Sequence, residues 1–151
     1  MDQTDREILL ILQHDGRITA TELAKQIQLS LSATSERLRQ LLASGVIKRF
    51  AAIVDPTAMG RPIEALVDVR LGPSMVSALP QVELDKLIAT FPAVIDAVHL
   101  TGRFDTQLRV AAKDVAELDD LLVHIKEDLG AEETNTRLVL RSIAGFPRAA
   151  I

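Results

Sequence analysis

The chain of 151 residues contains no cysteine. That absence excludes a disulfide framework, a thiolate metal site and a cysteine nucleophile. No apolar run approaches the ~18 residues that a membrane-spanning helix requires. The opening residues Met1 to Glu7 are polar and the apolar stretch Ile8 to Leu12 is too short for a signal-peptide core, so a soluble, intracellular protein is expected. Seven glycines and six prolines are too few for a collagen-like or linker composition, and a 48% hydrophobic chain is too apolar to be disordered. Basic residues are also in short supply, 17 against 21 acidic ones for a formal charge of −4. An acidic sum argues against nucleic acid as a partner, unless charge is divided unevenly along the chain.

The first fifty residues read as helices. Thr4 with Glu7 has capping-box spacing, in which each side chain satisfies an orphan amide at a helix start. Ile8, Leu9, Ile11 and Leu12 supply an apolar face until His14-Asp15-Gly16 ends the helix. Thr19 with Glu22 repeats the start signal ahead of Leu23, Ala24 and Ile27. Ser30 is the expected N-cap of a third helix from Leu31 to Ala43, ended by Ser44-Gly45. Three short helices with tight turns make a tri-helical unit.

Beyond Gly45 the period changes. Val46 to Val54 reads as an extended segment closed by Asp55-Pro56, and Gly60-Arg61-Pro62 marks a break. Ile63, Ala65, Val67, Val69 and Leu71 then alternate with Glu64, Asp68 and Arg70, the pattern of a half-buried strand; Leu66 is the exception. A helix is expected over about Pro80 to Phe91, strands over Val94 to Leu100 and Thr106 to Ala112, and a second helix after Asp114, ended by Gly130. Thr134 to Ile143 reads as the last strand. The order β-α-β-β-α-β is the ferredoxin-like arrangement. Two helices cover one face of a four-stranded sheet, so Leu66, Ile95 or its neighbours, Val139 and Ile143 are left among polar residues on the other, and a second copy of the chain is the simplest cover. The domains expected are 1–50, a linker strand and turn at 51–61, and 62–151, an α+β protein overall.

The second and third helices, with Gln28-Leu29-Ser30 between them, have the form of a helix-turn-helix, whose later helix lies in the major groove of DNA. At 100° per residue Leu31, Thr34, Leu38, Leu41 and Leu42 form a buried stripe. The opposite side presents Ser32, Ala33, Glu36, Arg37, Arg39, Gln40 and Ala43, with Ser35 at the edge. Small polar residues can approach base edges, arginines can reach guanine or phosphate, and Lys48 and Arg49 extend the positive patch. The same face also fits a small helical domain with a solvated charged side. Regional charge separates these readings: residues 30–50 carry +3, residues 61–151 carry −4 and residues 1–60 are neutral. The acidic excess therefore lies wholly outside the helical half.

Asp5-Arg6 with Ile8-Leu9, Asp15-Gly16-Arg17-Ile18, Glu22-Leu23-Ala24, Leu29-Ser30, Glu36-Arg37-Leu38-Arg39, Gly45-Val46-Ile47 and Thr101-Gly102 with Asp105 follow one another in a specific order and spacing. On these pieces the chain, across nearly its whole length, resembles the leucine-responsive/asparagine regulator (Lrp/AsnC, feast/famine) family of prokaryotic transcription factors. Gln40-Leu41-Leu42-Ala43 departs from the basic-then-acidic helix ending of many relatives. The resemblance implies a sequence-specific DNA-binding regulator, cytoplasmic and nucleoid-associated, whose second half senses a small effector and assembles dimers into octamers or other rings. It implies an amino-acid effector near the Gly-x-x-Asp turn, here Gly102 and Asp105 with Thr101, Arg103 and Phe104 around them. An ammonium could pair with Asp105 and a carboxylate with turn amides or Arg103; Thr134 and Thr136 could reach the same place. A plain hairpin turn is the alternative reading of Gly102 and Asp105.

Enzymatic readings are poor. His14, His99 and His124 form no metal-ligand or triad pattern, no glycine-rich phosphate loop is present, and Asp120 with His124 is a common surface pair. No cofactor is expected besides the effector. A ferredoxin-like small-molecule-binding or enzymatic domain, with the helices as a protein-interaction module, is the alternative.

Overall fold

In the computed structural model, which describes residues 1–143, α1 (Gln3–His14) starts on Asp2. The Asp2 carboxylate accepts from the Asp5 amide and the Asp5 carboxylate from the Asp2 amide. The capping frame is thus two residues earlier than the expected Thr4–Glu7. Both frames fit the sequence spacing, and the Asp pair satisfies the first-turn amides while placing negative charge at the positive helix end. The Thr19–Glu22 box starts α2 (Ala20–Gln26) and Ser30 starts α3 (Leu31–Ala43), both as expected. Between α2 and α3 the chain turns through Gln28, a residue with a side chain held at φ 55°. Gly45, at φ 74°, carries the chain out of α3 in the left-handed conformation that glycine adopts without strain.

Ile8, Leu23 and Leu41 form the buried centre of the helical unit, ringed by half-buried apolar residues that include Leu12, Ile27 and Leu38. Thr34 is fully buried as well, and its hydroxyl donates to the Ser30 carbonyl at 3.0 Å, so burial leaves no polar atom unpaired. The expected stripe is narrower than the sequence suggested, because Leu31 and Leu42 are exposed. Three short helices enclose too little volume to cover a five-residue stripe.

The extended segment expected over Val46 to Val54 forms no strand, and no partner strand lies beside it among the described residues. A turn follows, as expected, with the Asp55 carboxylate accepting from the Thr57 amide and the Pro56 carbonyl from Met59 and Arg61.

The second unit, Val54–Ser142, holds β1 (Ile63–Leu71), α4 (Pro73–Ala78), α5 (Gln81–Ala89), β2 (Val94–His99), β3 (Thr106–Ala112), α6 (Val115–Asp128) and β4 (Ala131–Leu138). The strands form one antiparallel sheet in the order β2-β3-β1-β4, so the ferredoxin-like expectation holds. Ala65, Val67 and Val69 pair across with Val110, Leu108 and Thr106, and with Leu84 and Ile88 of α5 and Leu118, Leu121 and Ile125 of α6 they build the main core. Asp114 caps α6 by accepting from the Glu117 amide.

Two elements of this half differ from expectation. Helix α4 was not foreseen; Pro73 occupies its first turn, where a missing N–H costs nothing. Strand β4 starts earlier than Thr134 and ends at Leu138 rather than Ile143. Its partner β1 begins at Ile63, just after Pro62, so β4 runs out of ladder; one more bond, from the Val139 amide to the Glu64 carbonyl, closes it.

The sheet face away from the helices is more polar than expected. Asp68, 6% exposed, accepts from Arg137, Gln107 and Asn135. Arg109 pairs with Glu64, and Arg70 with Glu132 and Glu133. Leu66 lies within this set, while Ile95 sits at the β2 irregularity and Ile143 lies past the end of β4.

Candidate DNA interface and effector site

The exposed side of α3 is organised by its own hydrogen bonds. Ser30 Oγ accepts from the Ala33 amide at 3.2 Å and lies 3.1 Å from Ser32 Oγ. Ser32 and Ser35 are exposed and Ala33 is half-buried. One turn on, Glu36 receives Arg39 on one carboxylate oxygen and Gln40 on the other, at 3.1 Å from Arg39 Nε and 2.8 Å from Gln40 Nε2. Hydrogen bonds from Arg39 and then Gln40 hold the Glu36 carboxyl below its ordinary range, and Glu36 in turn raises the Arg39 guanidinium. Lys48 and Arg49 follow α3, exposed and without an ion-pair partner among the described residues.

Arg37 lies elsewhere than the helical wheel placed it. Its Nη1 donates to Asp2 Oδ2 at 2.8 Å and to Asp5 Oδ1 at 2.7 Å, with 30% of its side chain exposed. It stands at the flank of α3 against the first turn of α1. The structure therefore brings Ser32, Ser35, Glu36, Arg39 and Gln40 onto one exposed surface and draws Arg37 away from it. Lys25 on α2, exposed and without an ion-pair partner among the described residues, was missed by sequence reasoning; a lone lysine on a short helix carries no pattern that marks it.

In the second unit the turn after β2 is tied to the end of β1. Asp105 Oδ2 accepts from the Leu71 amide at 2.7 Å, its own amide donates to the Val69 carbonyl, and its carbonyl accepts from the Leu100 amide. Gly102 sits at φ 107° with open space around it, a backbone conformation that favours glycine. Arg103 is ion-paired with Glu133 and lies over the Phe104 ring, 5.5 Å from its centroid. Burial opposes ionisation of Glu133, but hydrogen bonds from Arg103 and Arg70 outweigh it and leave the carboxyl below its ordinary range. Thr101 is exposed at the start of the turn.

Thr134 and Thr136 pair with Val69 and Val67 and share their face, toward the helices. Glu133, the partner of Arg103, shares the open face with Arg70. Within one chain the structure thus joins Arg103, Phe104 and Asp105 at the turn and keeps the two threonines on the other side of the sheet. One oxygen of Asp105 is already committed to the Leu71 amide, so the turn role and a ligand role draw on the same carboxylate.

A cavity of about 310 Å³ opens between α5 and β2, lined by Ile88, Ala89, Val94, Asp85, His99 and Thr106 among others. His99 bridges it, 2.7 Å from Asp85 Oδ1 and 3.3 Å from Thr106 Oγ1. None of the expected effector residues lines it. Among the described residues no three His, Asp or Glu side chains come together as metal ligands, and no helix is long and apolar enough to cross a membrane.

Residues 1–48 match the family described as winged helix-turn-helix DNA-binding, and residues 64–148 match the Lrp/AsnC ligand binding domain. The HTH-type transcriptional regulator FL11 of Pyrococcus horikoshii is 34% identical over 94% of this chain and 91% of its own length. The crystal structure of the Mycobacterium tuberculosis leucine response regulatory protein is similar with a TM-score of 0.82 at 26% identity, covering 98% of this chain and 99% of that one. A transcriptional regulator of Neisseria meningitidis, solved as an L-Met complex, shares the fold with a TM-score of 0.84 at 24% identity, over 97% of this chain and 96% of that one.

Proposed function

Because the chain belongs to the Lrp/AsnC family of DNA-binding transcriptional regulators with a ligand-binding domain, we propose that it binds pseudo-palindromic DNA as a homodimer or larger ring, such as an octamer, and that an amino acid or related small effector changes its assembly or DNA affinity. The observation that carries the DNA part is the exposed face of α3. Ser32 and Ser35 stand near its start, Arg39 and Gln40 are held in place by Glu36, and Lys48 and Arg49, without an ion-pair partner among the described residues, lie beyond. Small groups at a helix start suit base edges, and these cations suit phosphates. Lys25 on the bracing helix is a further phosphate contact in this reading. The positive patch is small, so one head binds weakly and two held together bind well.

Effector binding at the turn of Thr101 to Asp105 is supported by its chemistry. Asp105 keeps one carboxylate oxygen for an ammonium, and Arg103 with the turn amides suits a carboxylate. Thr134 and Thr136 take part through a second copy of the chain, since in one copy they face away from Arg103. A DNA-binding regulator of this kind works in the cytoplasm on the nucleoid.

Mobility-shift titrations on duplexes recovered by the protein from a random-sequence pool test the DNA reading. Lys48→Ala should lower the slope of log affinity against log salt by about one; an unchanged slope removes Lys48 from the interface. The effector reading is tested by a thermal-shift screen of the twenty amino acids with particle mass measured alongside. A shift that persists in Asp105→Ala moves the site elsewhere, and a monomeric mass at micromolar concentration defeats the dimer.

A further inference from the structure

The ion pairs of Arg37 form a second joint in the helical unit beside its apolar centre. Each carboxylate there divides its oxygens between two tasks. Asp2 gives Oδ1 to the Asp5 amide and Oδ2 to Arg37, and Asp5 gives Oδ2 to the Asp2 amide and Oδ1 to Arg37. The guanidinium therefore docks on the capped first turn of α1, where both acceptors are already fixed by backbone hydrogen bonds. Arg37 precedes Leu41 by one helical turn and Asp5 precedes Ile8 by nearly one, and Leu41 and Ile8 belong to the same apolar cluster. One cluster alone is a pivot; a charged contact one turn away makes a second point, and two points set a direction.

We propose that Arg37 is a positioning residue of the DNA-reading helix, fixing the tilt of α3 against α1 through Asp2 and Asp5, and that it makes no contact with DNA. The proposal rests on the reading of α3 as the helix that enters the groove. Charge supports it: Arg37 with Asp2 and Asp5 carries a net −1, which does not attract phosphate. Titration behaviour agrees. The hydrogen bonds that Arg37 donates to Asp2 and then to Asp5 raise its guanidinium, and the Asp5 amide followed by Arg37 lowers the Asp2 carboxyl. Each partner stabilises the charged form of the other. Asp5 is only 16% exposed in its side chain, so the contact is largely shielded from solvent.

Asp5→Asn and Arg37→Gln separate positioning from contact, because the two roles predict opposite signs. Both variants are titrated against the duplexes recovered by the wild-type protein, at a temperature where far-ultraviolet circular dichroism shows each variant fully folded. A positioning role predicts that Asp5→Asn weakens binding about tenfold, on the scale of one mismatched base pair, with the salt slope unchanged. Arg37→Gln should do the same, and the double variant should be no weaker than either single one. If Asp5→Asn tightens binding, the freed guanidinium reaches phosphate and the proposal fails. It also fails if Arg37→Gln lowers the salt slope by about one, or if affinity is unchanged while the melting temperature drops, since the contact then serves folding only. Arg39→Ala, Gln40→Ala and Lys48→Ala test the underlying reading separately: binding unchanged in all three overturns the placement of α3 in the groove, and the positioning role with it.

Discussion

The two units keep their order by different means. In the helical unit the fully buried apolar centre is Ile8, Leu23 and Leu41, and much of the remaining order comes from polar groups at helix ends: the Asp2–Asp5 and Thr19–Glu22 boxes, the Ser30 cap and the Arg37 clamp. In the sheet unit fifteen buried residues, among those described, form one apolar layer between the sheet and its helices, and the polar network lies on the far face. A small domain buries a smaller share of its surface and leans more on its edges. A reader built of three short helices has less to lose before it fails, and what it loses first is sensitive to pH and to single side chains.

Equal deletions in the two cores should give unequal outcomes, and this is the largest effect expected. Leu23→Ala and Leu108→Ala each remove a fully buried leucine and each should cost about 2–5 kcal/mol. At roughly 0.05–0.15 kcal/mol per residue the helical unit has only about 3–8 kcal/mol to give. Leu23→Ala should therefore leave that unit unfolded at 37 °C, and Leu108→Ala should leave a folded sheet unit with a lower melting temperature. Calorimetry of the two variants decides it, and equal survival of both units would break the contrast.

Asp105→Ala should come next. It strands the amide of buried Leu71, at a cost of about 1–3 kcal/mol in the sheet unit. Asp105→Asn keeps an acceptor oxygen and should lose less stability, while still losing the charge on which the proposed effector site rests. If both variants unfold at the wild-type denaturant midpoint, the tie to β1 contributes nothing.

Cap removal is a smaller change. Thr19→Ala, Ser30→Ala and Asp114→Ala should each cost about 1 kcal/mol. The same loss should move the melting temperature further in the helical unit, where it is a larger share of the total. Equal shifts from Ser30→Ala and Asp114→Ala would show that the caps matter alike in both.

Acid should act in the same direction with the mildest onset. The Asp2 carboxyl is lowered first by the Asp5 amide, and Glu22 first by the Thr19 hydroxyl. A carboxylate lowered on folding contributes stability above its unfolded pKa and loses it as pH falls through the folded one. The helical unit should keep its melting temperature from pH 7 down to about 5 and lose it progressively below about 4. Asp114 and Glu133 follow the same sign in the sheet unit, where the apolar layer should blunt the drop. A helical unit that melts at the same temperature at pH 3 and pH 7 would show that its polar ends are not what holds it.

What the sequence made legible was local. The Thr19 and Ser30 caps, the Asp114 cap and the alternation of Ile63 to Leu71 depend on neighbours a few residues away, and each is found where expected. The first cap was misplaced because two frames, Asp2–Asp5 and Thr4–Glu7, share the same spacing. The end of β4 was misjudged because it depends on where β1 begins, some seventy residues earlier. The ion pairs of Arg37 were not legible for a similar reason: a wheel of α3 shows its direction and not the carboxylates of α1 that meet it. At the Thr101 to Asp105 turn, Gly102 was legible as a turn glycine, while the hold of Asp105 on Leu71 required the β1–β3 register to be known.

Gln28 bears on how this reader can change over generations. It occupies a left-handed backbone position at the corner between α2 and α3, which costs a residue with a side chain about 1–2 kcal/mol. Glycine would relieve that cost and return much of it through a freer unfolded chain, about 0.5–1 kcal/mol. About half of the cost, roughly 0.5–1 kcal/mol, remains. An exposed amide thus stands at that corner at a modest penalty, which glycine or asparagine would lower. Exchange at such a corner changes the exposed surface between α2 and α3 while the Thr19 and Ser30 caps on either side stay the same.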